Sequence, residues 1–119
     1  MPAADELAAL RAYGLGFPEA VEEFPWGHTA LKVKGKTFVW LACEDDRFSM
    51  TVKLPVSRDF ALVFDFAEPA GYGLGRSGWI SVRLAADEPA DLHLFRRWIA
   101  ESYRAVAPKK LAALVPETD

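Results

Sequence analysis

The sequence predicts an α+β two-layer sandwich, an antiparallel sheet with helices packed on one face, and three observations predict it. The elements run helix, three strands, helix, strand, helix, so the strands come in a block with helices around it. Arg47 to Leu54 and Trp79 to Leu84 alternate apolar and polar residues, the pattern of a sheet covered on one face. A helical pattern from Asp87 to about Val106 then sets Leu92, Phe95, Ile99 and Val106 on one side, as a covering helix needs. The 119 residues fit one domain over 1–119. A hydrophobic content of 51 % with 26 % charge places the chain among globular proteins, away from disordered ones.

The first helix is expected over Ala4 to Tyr13, where Leu7, Leu10 and Tyr13 fall at helical spacing. Asp5 and Glu6 suit the positive end of its dipole, and Gly14 is a natural stop. Gly16 to Pro18 turns, and Glu19 to Glu23 reads as a short helical turn. In Phe24-Pro25-Trp26-Gly27-His28, Pro25 pushes Phe24 toward an extended shape and Gly27 permits a bend. Phe24 and Trp26 thus read as an apolar plug that fixes where the first strand starts.

Thr29 to Val33 and Thr37 to Cys43 are expected to pair through a two-residue turn, Lys34-Gly35, with Gly35 at positive φ. That turn sets Leu31 opposite Phe38 and Thr29 opposite Trp40. Both faces of Phe38 to Cys43 are apolar, as in a central strand. Glu44-Asp45-Asp46 turns into Arg47 to Leu54, which points Phe48, Met50, Val52 and Leu54 one way and Arg47, Ser49, Thr51 and Lys53 the other. Pro55 ends that strand and opens a helix to about Phe64, with Phe60, Val63 and Phe64 on its apolar face.

Asp65 to Gly78 reads as a surface loop containing Gly71, Gly73, Gly75 and Gly78. A phosphate-cradling loop should follow a strand and open a helix, whereas this one follows a helix and leads into a strand. Trp79 to Leu84 points Ile80, Val82 and Leu84 one way, and Trp79, Ser81 and Arg83 the other. Pro89 suits the first turn of the long helix, Pro108 breaks it, and Lys109 to Leu114 forms a last turn.

The single cysteine, Cys43, cannot form an intrachain disulfide and favours a reducing compartment. No apolar run reaches the roughly 18 residues of a membrane span. Asp5 and Glu6 precede the first base, Arg11, unlike a signal peptide. The expectation is a soluble cytoplasmic protein with no membrane partner. The net charge of −3 argues against bulk nucleic-acid binding. Acids gather before residue 30, while Lys32, Lys34, Lys36, Arg47, Lys53 and Arg58 make the middle locally basic.

Enzyme signals are thin. His28, His93 and Cys43 supply no zinc set of usual spacing. His93 lies beside Arg96 and Arg97, as an exposed residue would. Asp45-Asp46 and Asp87-Glu88 read as turn and helix-start acids, and no nucleophile motif is present. No catalytic or metal residue is assigned and no cofactor is implied. The face turned from the helices is more informative, with Ser49, Thr51, Lys53, Trp79, Ser81 and Arg83, joined by Lys32 or Trp40. A tryptophan between hydroxyls and bases makes a stacking platform with phosphate clamps. The alternative is that a loop or the C-terminal segment covers Trp79 and makes it a second small core.

The chain resembles the MmcQ/YjbR-like family of small bacterial proteins. The matching pieces are Phe17-Pro18 through Glu22-Glu23, Phe24-Pro25-Trp26-Gly27-His28, and Leu31-Lys32-Val33-Lys34-Gly35-Lys36. Further on they are Lys53, Tyr72 through Trp79, Glu101-Ser102-Tyr103 and Pro108-Lys109-Lys110. They span nearly the whole chain in order. The resemblance implies a CyaY/frataxin-like sandwich and a "double-wing" DNA-binding role. The DNA contacts then fall on Lys32, Lys34, Lys36, Lys53, Arg76, Trp79 and Arg83. The chain departs from the family where Gly73, Gly75, Ser77 and Gly78 replace more polar or basic types, leaving Arg76 as the base of that loop. DNA binding is therefore expected to be weak and salt-sensitive. A small-molecule or anion-binding protein using the same Lys53, Trp79 and Arg83 face is the other expectation.

Overall fold

The computed structural model describes residues 2–24, 28–71, 77–86 and 88–115. Trp26, the centre of the expected plug, lies outside them, as does Arg76. Six strands form one antiparallel sheet in the order β1-β2-β3-β4-β6-β5. They are β1 (Ala20–Glu23), β2 (Thr29–Val33), β3 (Lys36–Glu44), β4 (Arg47–Lys53), β5 (Ala67–Pro69) and β6 (Trp79–Arg83). Helices α1 (Pro2–Leu15) and α3 (Leu92–Val106) pack on the face that carries Phe48, Met50, Val52, Ile80 and Val82, all fully or nearly fully buried. Two short helices, α2 (Arg58–Ala61) and α4 (Lys109–Ala112), complete the chain. This is the expected α+β architecture.

Helix α1 runs through Gly14 rather than stopping at it. A Cβ at Gly14 would lie 2.4 Å from Cδ1 of the fully buried Leu31. The glycine therefore serves the close approach of α1 to β2, not helix termination. Gly14→Ala should destabilise by about 1 kcal/mol net, the strain of displacing Leu31 exceeding the helix-propensity gain. Urea denaturation reads this, and a stabilised variant would show that Leu31 has room to move.

Ala20–Glu23 is a strand, not the expected helical turn, because it pairs along β2 from Ala20↔Val33 to Glu23↔Ala30. Its Glu22 faces α1 and binds the Arg11 guanidinium through two hydrogen bonds. Phe24, half of the expected plug, is exposed.

The Lys34-Gly35 turn forms as expected, with φ of 51° and 80°. The register beyond it differs. Val33↔Lys36 and Lys32↔Thr37 pair normally, but Leu31 then pairs with Val39, Ala30 with Trp40 and Thr29 with Leu41. Phe38 is the extra residue of a β-bulge, which sends it to the helix side along with Val39. There its ring lies 5.1 Å from Tyr103 and 6.1 Å from Phe17. The bulge interrupts the ladder, and Ser102 of α3 repairs it. The Ser102 hydroxyl donates to the Phe38 carbonyl at 2.5 Å and accepts the Lys53 N–H at 2.8 Å.

The helix expected from Pro55 to Phe64 shrinks to Arg58–Ala61. The buried Glu101 carboxylate holds the turn before it, accepting the N–H groups of Val56 and Ser57, each at 2.9 Å, and the Ser57 hydroxyl at 2.6 Å. Within the expected 65–78 loop, Ala67–Pro69 pairs with β6 as a short edge strand, where proline is tolerated. Helix α3 begins at Leu92 instead of Asp87, capped by Asp91, whose carboxylate accepts the Leu94 N–H at 3.0 Å. The approach to α3 is fastened by Glu6, which accepts the Ala90 N–H at 2.7 Å. Among the described residues no helix is long and apolar enough to cross a membrane.

Candidate binding face

Strand alternation decides what the second face of the sheet displays. Because Trp40 pairs with Thr51, Thr51 with Ser81, and Ser81 with Glu68, these four form one row across β3, β4, β6 and β5. The next row is Ala42, Ser49 and Arg83. Lys53 and Trp79 form a third, toward the other end. The sequence placed Ser49, Thr51, Lys53, Trp79, Ser81 and Arg83 on this face, and the structure brings them together there.

Trp79 is not displayed. It is 9 % exposed, and its ring lies 5.2 Å from that of Trp40, tilted by 55°. The two tryptophans meet diagonally across β4, because Trp40 is opposite Thr51 and Trp79 opposite Lys53. Trp79 is buried rather than displayed, and the Trp40 ring, not named in either expectation as its cover, is one of the groups packed against it. Trp40, half-buried, is the aromatic that still meets solvent.

Three of the expected phosphate clamps are engaged by carboxylates. Lys32 lies 3.0 Å from Glu23, Lys34 2.7 Å from Glu19, and Arg83 3.6 Å from Glu68. Such exposed pairs add little stability, but each sets a negative charge beside a cation assigned to phosphate. Lys53 is half-buried. Lys34 and Lys36 sit exposed at the β2–β3 turn, outside the rows above.

A hollow of about 360 Å³ opens on this face. Trp40 and Ala42 form one wall, Ala70 and Gly71 the other, and His28 and Arg83 also line it. Its floor carries the hydroxyls of Ser49, Thr51 and Ser81, with Thr51 Oγ1 and Ser81 Oγ 3.4 Å apart in a hydrogen bond. Sequence reasoning missed His28 as a lining residue and gave Trp40 second place to Trp79. The signal for Trp40 was its position on a strand apolar on both sides, but the bulge decides what it faces.

A protein-family model described as YjbR matches residues 15–105. Nothing among curated protein sequences matches the chain. Among solved structures, the crystal structure of the Deinococcus radiodurans protein DR2400, described as a DUF419 domain, is similar with a TM-score of 0.70. The likeness covers 95 % of this chain and 91 % of that one at 19 % identity, and it carries the fold alone.

Proposed function

The chain belongs to the YjbR family, and from that premise we propose a binding module whose ligand, a small anion bearing a flat apolar ring, seats in the open-face hollow between Trp40 and Arg83. The hollow itself is the observation that carries this reading. Its volume of about 360 Å³ suits a small ligand, and its few polar groups converge on one floor. A ring lies against Trp40, where aromatic contact contributes roughly 0.5–1.5 kcal/mol. The acid group reaches Arg83, whose side chain is 74 % exposed.

DNA is the second reading, favoured by Lys34 and Lys36, both exposed, on either side of Gly35 at the turn. Against it, Trp79 is buried against Trp40 and offers little ring surface to a base, and a phosphate at Lys32 or Lys34 competes with a carboxylate already there. Any duplex affinity is therefore weak and falls steeply between about 50 and 200 mM salt.

Amide NMR titrations with indole-3-carboxylate and with a short DNA duplex separate the readings. Indole-3-carboxylate should shift Ala42, Thr51 and Ser81 saturably, and Trp40→Ala or Arg83→Ala should each weaken it roughly tenfold, about 1.4 kcal/mol. Lys34→Ala with Lys36→Ala should leave it unchanged. An unmoved spectrum with the carboxylate, together with duplex binding abolished by that lysine pair, would put DNA in its place.

A further inference from the structure

Resting on the reading of the open-face hollow as the seat of a ring-bearing acid, we infer that the ring is heteroaromatic, with a nitrogen or keto oxygen on its edge that accepts from the hydroxyls of Ser49, Thr51 and Ser81. The wall sets how a ring sits. The Trp40 ring lies 5.2 Å from that of Trp79, and Trp79 pairs with Lys53. Along β4, Lys53 lies on one side of Thr51 and Ser49 on the other, so Trp40 leans away from Ser49. The space over Ser49 and its small neighbour Ala42 stays open, and both line the hollow. A ring laid flat on the Trp40 wall then stands with its edge, not its face, on the hydroxyl floor.

The floor decides what that edge carries. Ser49, Thr51 and Ser81 are half-buried on one face of the sheet. A hydroxyl has one hydrogen to donate and two lone pairs to receive. Thr51 Oγ1 and Ser81 Oγ lie 3.4 Å apart, so one hydrogen is spent between them and the other is left to donate. Ser49 follows two residues before Thr51 on the same strand, roughly 6.5 Å along it, which sets its hydroxyl apart from that pair. Among the described residues the Ser49 hydroxyl has no partner. Water takes these hydrogens while the hollow is open. A ligand that covers the floor displaces the water, and a hydroxyl then facing a C–H edge loses its hydrogen bond with nothing in exchange. A ring nitrogen or keto oxygen restores the bond in the plane of the ring, which leaves the ring's faces apolar for Trp40.

Two acids of one shape test this. Quinoline-3-carboxylate differs from naphthalene-2-carboxylate by a nitrogen in place of one C–H. In amide NMR titrations the quinoline acid should bind the parent at least fivefold more tightly, the ratio that about one hydrogen bond supplies. Combining Ser49→Ala, Thr51→Val and Ser81→Ala removes every floor hydroxyl and should bring the two acids to equal affinity, with a melting temperature close to the parent's showing that the variant folds. Equal binding of the two acids to the parent would overturn the inference while leaving the hollow as a site for a ring-bearing acid. A preference for the quinoline acid that survives in the triple variant would overturn it in the same way. If neither acid shifts Ala42, Thr51 or Ser81 saturably, the hollow is not the ligand site and the inference falls with it.

Discussion

Replacing Tyr103 by alanine should cost about 3–5 kcal/mol, the range for deleting a large aromatic from a core. The expected fall in melting temperature is roughly 10–20 °C for a domain of this size. Tyr103 is fully buried at the meeting point of three elements. Its ring stacks on Phe17 at 4.9 Å and meets Phe38 edge-on at 5.1 Å, and its hydroxyl donates to the Pro18 carbonyl at 2.7 Å. It joins α3 to the bulge and to the turn before β1. Tyr103→Phe separates the two contributions, since it removes only the hydrogen bond and should cost about 1 kcal/mol. A loss under about 1 kcal/mol for Tyr103→Ala would mean that Phe17 and Phe38 close over the space. Burial first, and the charge of Glu19 second, push the Tyr103 phenol above its ordinary range. An acid held protonated in the folded state is stabilising below its unfolded pKa. This contribution is therefore complete at neutral pH and is lost as the pH rises from about 10 through the folded value.

Ser102→Ala should cost roughly 2–4 kcal/mol although it removes a single oxygen, because a buried carbonyl and a part-buried N–H lose their partner at once. The Phe38 carbonyl and the Lys53 N–H are both satisfied by that hydroxyl. Denaturant titration measures the loss. Amide exchange at Lys53 gives a second readout, expected to accelerate well beyond the global change. Ser102→Thr keeps the hydroxyl and should recover much of the exchange protection. An alanine variant as stable as the parent would show that β3 and β4 rejoin directly once the serine is gone.

These residues also mark where the sequence was legible. Alternation along Arg47–Lys53 and Trp79–Arg83 was sufficient to assign both faces, because one side is buried throughout. The Lys34-Gly35 turn was legible from its glycine. The register beyond it was not, since the bulge at Phe38 depends on a serine 64 residues away. Strand β1 was missed because Ala-Val-Glu-Glu has no apolar alternation, and its pairing with β2 makes it a strand. Helix α2 was overextended because Phe60 and Val63 have helical spacing, yet both face solvent. For the candidate site, alternation was sufficient to say which side chains share the open face, but not which of them meet solvent. Alternation shows which way Trp79 points, and it is silent about a second tryptophan covering it from two strands away.

The bulge has a consequence for how chains of this fold can vary in length. From Val39 to Cys43, gaining or losing a residue would exchange the two faces of β3, sending Trp40 into the core and bringing Leu41 or Val39 out to solvent. Phe38 is different, because Leu31 already pairs with Val39 and Lys32 with Thr37, as though it were absent. Deletion there costs its aromatic contacts but leaves every later side chain on its own side. Length differences among relatives in this strand should therefore gather at Phe38, and the hollow beyond it can change its lining by substitution while its walls stay in register.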